Sequence, residues 1–336
     1  MSRNLFEYDP LIGFRFIPGI RARVGHESGG YLVRCNEAGF RCDHEVATAK
    51  PVGTFRLILL GDSYSAGDGV SNGHRFGDLI EARFDRMQVL NFALPGSGTD
   101  QQYLAFREHA RHLEYDLVLF CPMVENVRRN TATHRITANT ADGRLVCRPK
   151  PYFRLSEGGL ELHNTPVPKQ VQPVPDEQPE AEALNGDSPL RNAARSLYRR
   201  FPAFHCFAQR VRRISDPHEY DDAKDPGWLL MKAILTACAA DAAAPLLICP
   251  LPTFGHINRC LRADAYRQRF EELSTLANVK VIDILPDFWR LDPAQRKACR
   301  FEHDEHPTRL GHQVIADAIE PYVRAYYESD GSDRSV

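Results

Sequence analysis

Four short stretches hold the residues whose types and spacing could do chemistry together. Gly61-Asp62-Ser63-Tyr64-Ser65 follows a continuous apolar run and sets Ser63 where a strand would pass into a helix. Leu94-Pro95-Gly96-Ser97-Gly98-Thr99-Asp100 is a glycine-rich turn after a second such run. Val124-Glu125-Asn126-Val127 follows a third, and His303-Asp304-Glu305-His306-Pro307 precedes the last helical stretch. A serine hydroxyl is a weak nucleophile until a base takes its proton, and histidine has a pKa suited to that work. A carboxylate then fixes the histidine's tautomer, and preorganised N–H donors hold the oxygen of the tetrahedral intermediate. A serine, a glycine turn that lets backbone come close, an amide and an Asp/His pair are the inventory of nucleophilic acyl transfer. Ser63, placed between a strand end and a helix start, can offer its own backbone N–H as one such donor.

These stretches need elements that bring them to one place. Apolar runs of strand length fall at 56–61, 89–93, 116–122, 245–251 and 279–283, and helical spacing falls at 74–86, 100–113, 227–241, 263–277 and 308–326. Continuous apolar runs such as 57–60 suit strands buried on both faces. Their alternation with helices predicts an α/β fold with five parallel strands. In such sheets the working residues gather outside the carboxyl ends of the strands, which is where all but the last of the four stretches begin.

On these residues the chain resembles the SGNH hydrolases, also called GDSL lipases or esterases. Leu60-Gly-Asp-Ser63 resembles the first family block, Asn91-Phe-Ala-Leu-Pro-Gly96 the second, and Asp304-Glu-His306-Pro-Thr-Arg-Leu-Gly311-His the last. The likeness covers 55–130 and 245–325. It implies a three-layer α/β/α sandwich of flavodoxin-like type around a five-stranded parallel sheet. It also implies Ser63 as nucleophile, His306 as base, Asp304 as the orienting acid, and an oxyanion hole from Ser63, Gly96 and Asn126. Two departures stand out. The third block usually reads Gly-Asn-Asp, and the register of Val127 and Asn130 would put Glu125 at the donor Asn. Either the chain shifts by one so that Asn126 donates, or the hole is altered. Many family members also place the acid three residues before the base, here His303. Asp304 lies two before, as in relatives that act on polysaccharides.

The remaining length is unevenly distributed. Residues 1–54 carry short apolar runs, such as Leu11 to Phe16 and Tyr31 to Val33, and predict irregular β structure or hairpins packed on the core. Residues 131–226 hold 11 of the 23 prolines and a basic helical stretch at 191–213. That block reads as a partly flexible insertion suited to a lid or substrate-binding role. The hydrolase domain is then 55–130 with 227–328, in two pieces. The 336 residues, 43% hydrophobic and 26% charged, suit a globular protein, and 42 Lys+Arg against 44 Asp+Glu argue against a nucleic-acid binder. Nine scattered cysteines favour a reducing compartment. The lack of a signal-like start or a long apolar run predicts a cytoplasmic protein without a membrane span.

Several residues have plainer readings. Asp62 orders its turn by hydrogen bonding, Gly98 is a turn glycine, and Cys121 and Cys249 pack as small apolar groups. Gly67-Asp68-Gly69 lacks the Lys-Ser/Thr of a phosphate loop. His303 and His306 have metal-pair spacing but no third ligand nearby, so neither metal nor cofactor is implied. The leading function is a serine esterase or deacylase acting on a small-molecule or carbohydrate ester. The alternatives are an O-acyltransferase using the same groups and a non-catalytic binding protein, motivated by Glu125. Labelling by a serine-directed phosphonate separates the last from the others.

Overall fold

The computed structural model describes residues 4–138, 144–174, 209 and 214–331. Alternating burial shapes the first of them into two antiparallel hairpins. β1 (Phe6–Asp9) pairs with β2 (Gly13–Phe16), and β3 (Arg21–Val24) pairs with β4 (Tyr31–Arg34). Tyr31 and Val33 point inward while Leu32 and Arg34 are exposed. Ile12, Phe14, Phe16 and Phe40 join the same core as the central strands, and Phe40 stacks edge-on against Phe92 at 4.7 Å.

The central sheet is the apolar runs made solid. β5 (Phe55–Gly61), β6 (Met87–Asn91) and β7 (Leu117–Cys121) come first, and every residue of β5 and β7 is buried. Between and after them lie α1 (Ser63–Ala66), α2 (Phe76–Glu81), α3 (Thr99–Ala105) and α4 (Asn126–Thr131). Among the described residues, five strands come before the sheet resumes. β8 (His134–Ala138), β9 (Leu145–Pro149) and β12 (Gln172–Pro173) form one antiparallel sheet, and β10 (Tyr152–Ser156) with β11 (Gly159–His163) forms a hairpin. α5 (Pro226–Asp241), β13 (Leu246–Ile248), α6 (Phe254–Ile257), α7 (Asp264–Glu271) and β14 (Val279–Val281) follow. α8 (Leu285–Arg290), α9 (Pro293–Ala298) and α10 (Arg309–Gly331) close the chain. The sheet order is β14-β13-β7-β5-β6, all parallel. α3 and α4 pack on α5, while α2 and α8 pack on α10. The result is the α/β/α sandwich with five parallel strands expected from the sequence, with the N-terminal hairpins added.

The differences have local causes. The stretch read as helix over 74–86 stops at Glu81, and Arg86 at φ 58° turns the chain into β6. The helix read over 100–113 loosens into a π-turn at Phe106–Ala110, and that over 263–277 tightens into a 3₁₀ turn at Glu272–Thr275. α8 and α9 were not foreseen, because Pro286 and Pro293 look like breakers although proline suits the first helical turn. Among its described residues, the block read as a partly flexible insertion contains five strands between 134 and 173, hidden by its prolines and polar side chains. The proline-rich residues past 174 and, save Gln209, the basic stretch 191–213 lie outside the described residues. Cys121 and Cys249 are free and buried, but Cys260 is disulfide-bonded, which the scattered spacing did not reveal.

Phe40 is fully buried between the N-terminal segment and the sheet. Phe40→Ala should therefore cost about 3–5 kcal/mol of unfolding free energy, read by urea denaturation. A change under about 1 kcal/mol would show that the hairpins add little to the core.

Candidate active site

Ser63 owes its position to the turn before it. β5 ends at Gly61, where a Cβ would lie 2.1 Å from Ser65 Oγ and 2.9 Å from Cys121 O, so only glycine fits. Asp62, fully buried, caps α1 by accepting from the Tyr64 N–H at 3.1 Å, and it pairs with Arg129 at 3.0 Å. That is the turn-ordering role its sequence suggested. Ser63 is the first residue of α1 and sits at the carboxyl edge of the sheet.

His306 arrives from the other end of the chain. Its Nε2 is 2.8 Å from Ser63 Oγ, and its Nδ1 bonds Asp304 Oδ1. The Tyr64 ring lies tilted 5.5 Å from the His306 ring and its hydroxyl donates to Glu305 O at 2.5 Å, which fastens the loop to α1. Partial burial works to raise the Asp304 carboxyl's pKa. The hydrogen bond and charge of His306, then those of His26, outweigh this and hold it below the usual value. Asp304, two residues before His306, is thus the carboxylate on its ring.

The other two stretches line the same edge. Gly96 follows β6 at φ +69°, and a Cβ there would come 3.0 Å from Arg135 Nη2. Asn91, at the end of β6, donates to Ser65 O at 2.9 Å and accepts from the Ala93 N–H at 2.9 Å, so the glycine turn is tied to α1. After β7, Asn126 is fully buried, and neither atom of its amide has a hydrogen-bond partner among the described residues. Glu125, just before it, is half-buried. Burial raises its carboxyl pKa, Arg129 opposes this, and the charges of Asp216, Glu305 and Asp62 add to it. Of the two residues in register for the third block, the neutral amide is therefore the one fully buried.

Sequence reasoning missed residues that the fold brings in from afar. His26 Nε2 lies 3.1 Å from Asp304 Oδ2 although 278 residues separate them. Glu27 accepts from the backbone N–H groups of Glu302, His303 and Asp304 at 2.8 to 3.0 Å. Arg135 of β8 donates to Pro95 O at 3.3 Å beside Gly96, and its guanidinium lies over the Phe14 ring at 3.6 Å. No local pattern marks any of them. Among the described residues no three His, Cys, Asp or Glu side chains form a group that could hold a metal ion. No described helix is long and apolar enough to cross a membrane.

A Ser–His–Asp chain of hydrogen bonds at the carboxyl edge of a parallel α/β/α sheet is the arrangement of enzymes that cleave or transfer acyl groups through a serine. The family can be stated more closely: the chain belongs to the GDSL-like lipase/acylhydrolase family, whose model matches residues 59–314. It is similar to a lipolytic G-D-S-L family protein from Veillonella parvula, with 12% identity, TM-score 0.42, and 79% of this chain and 96% of that one covered. It is also similar to an acetylxylan esterase from Geobacillus stearothermophilus, with 11% identity, TM-score 0.43, and 82% and 96% covered. A third likeness is to a putative acylhydrolase from Bacteroides fragilis, with 12% identity, TM-score 0.41, and 84% and 90% covered. No curated protein matches the sequence.

Glu125 gives a pH test with a definite sign. An acid whose pKa is raised on folding stabilises the fold while protonated, and that stability is lost as pH rises through the folded value. Glu125→Gln should therefore raise the thermal midpoint near pH 8 and leave it close to wild type near about pH 4, at the ordinary carboxylate range. Equal shifts at both pH values would contradict this.

Proposed function

We propose that the protein is a serine-dependent ester hydrolase that works through an acyl-enzyme on Ser63. The 2.8 Å approach of His306 Nε2 to Ser63 Oγ, with Asp304 on the opposite nitrogen, carries this reading. In the first step Ser63 Oγ bonds the ester carbonyl carbon while its proton passes to His306 Nε2. The carbonyl oxygen becomes an oxyanion, and Asp304 stabilises the imidazolium. Collapse expels the alcohol, which takes the proton from His306. Water then repeats the sequence, releasing the acid and restoring Ser63.

The oxyanion donors are the N–H groups of Ser63 and Gly96 and the side-chain amide of Asn126. Ser63 heads α1, so its N–H has no acceptor within the helix. The unpartnered, buried amide of Asn126 supports it as the third donor over Glu125. The substrate is a small ester, an O-acetyl carbohydrate being the one favoured by the two-residue spacing of Asp304 and His306.

Transfer to an acceptor other than water is the second reading. What favours it is Arg135, which brings the added β8–β9–β12 sheet to the turn beside Gly96, where it can wall off water.

With p-nitrophenyl acetate, Ser63→Ala and His306→Ala should each lower kcat by about 10⁴-fold or more, and Ser63→Ala should abolish phosphonate labelling. A His306→Ala rate within about tenfold of wild type would sink the mechanism. Acyl-enzyme turnover should be measured with and without sugar and amine acceptors. A rate that no acceptor changes, with only free acid formed, rules out transfer.

A further inference from the structure

Asp304 has a difficulty that the reaction at Ser63 would expose. The carboxylate that orients a catalytic histidine must hold still, yet it lies in a loop with no helix or strand, and its side chain is 35% exposed. One oxygen meets His306; the other faces the N-terminal segment.

We infer that His26 is a positioning residue for that reaction: its Nε2–H holds Asp304 Oδ2, while Glu27 beside it pins the backbone of the same loop. The inference rests on the serine-hydrolase reading above. The ring's tautomer follows from its other nitrogen. The backbone N–H of Ser28 can only donate, and it points at His26 Nδ1 at 3.2 Å, so Nδ1 accepts and the proton sits on Nε2, facing the carboxylate at 3.1 Å. The ring itself is fixed. Its side chain is 10% exposed, and it stacks edge-on against Phe301 of the catalytic loop at 4.4 Å and against Tyr31 at 5.8 Å. Glu27 takes three consecutive backbone N–H groups, those of residues 302, 303 and 304. Asp304 is therefore gripped from three sides: His306 on one oxygen, His26 on the other, Glu27 through the main chain. The turn after β3 completes the catalytic group, which makes a chain beginning at the sheet deficient in more than stability.

The test compares His26→Phe, His26→Gln and His26→Asn on p-nitrophenyl acetate, with Ser63→Ala and His306→Ala as controls. Phenylalanine keeps the ring packing without the donor. Glutamine carries an N–H at about the reach of Nε2, and asparagine falls short of it. His26→Phe should lower kcat about 10- to 100-fold with KM within about twofold, because a misplaced catalytic group costs rate rather than binding. His26→Gln should recover most of the loss and His26→Asn little. The downfield proton resonance of the His306–Asp304 hydrogen bond should broaden or vanish in His26→Phe and return in His26→Gln, which a merely structural role would not produce. A folded His26→Phe with kcat within about twofold of wild type, while both controls are inactive, overturns this inference alone. Controls that retain full rate overturn the serine-hydrolase reading and this one with it. Should His26→Phe fail to fold, the amide pair decides: equal kcat for Gln and Asn overturns the proposal.

Discussion

The hydrogen bond between Ser63 Oγ and His306 Nε2 spans 243 residues of chain and 2.8 Å of space, and most of the fold exists to make those two figures compatible. A single such bond contributes little net stability, on the order of 1 kcal/mol. It forms because the sheet places its partners before they meet. β5 lies between β6 and β7, so the chain leaves β5 toward one side and later returns on the other. The carboxyl end of β5 is thus the point where the strand order reverses, and crevices open at such points in parallel sheets. Ser63 stands at that end, the Gly96 turn arrives from β6 and Asn126 from β7.

Buried cations tie the added N-terminal segment into this edge. Arg41 is almost wholly buried, and burial lowers its pKa to about 10, still charged at neutral pH. It survives there because it donates to the carbonyls of Ala66, Gly67, Leu32 and Val70 at 2.5 to 2.9 Å. Arg75, equally buried, donates to Arg41 O and pairs with Asp78. A buried guanidinium with partners removed leaves an uncompensated charge, which costs several kcal/mol. The β3–β4 hairpin, the end of α1 and the entry to α2 are therefore one hydrogen-bonded unit. The same segment reaches Asp304 through His26 and the backbone of residues 302–304 through Glu27.

Much of this was legible in the chain because it is locally encoded. A strand buried on both faces is mostly apolar, so the unbroken apolar runs of β5 and β7, with three shorter runs beside them, announce a parallel sheet. Gly61 is glycine because no Cβ fits, Gly96 because its φ of +69° is one that side chains rarely adopt, and the Asp304–His306 pair is two residues apart, within reach of any reader. Where local signals mislead, the physics is also local: prolines that start α8 and α9 look like breaks, and strands of mixed polarity between 134 and 173 look like loops.

The sequence by itself determined the parallel sheet and its longer helices and brought Ser63 and His306 forward as candidate nucleophile and base, since periodicity and short-range stereochemistry are properties of neighbouring residues. Only the tertiary structure decided that Asn126 is the buried amide and Glu125 the half-exposed acid, since one helical step separates them and packing alone chooses the face. It alone brought His26, Glu27 and Arg135 to the site. Contacts across 278 residues depend on where strands and loops end in space, and no spacing along a chain records that.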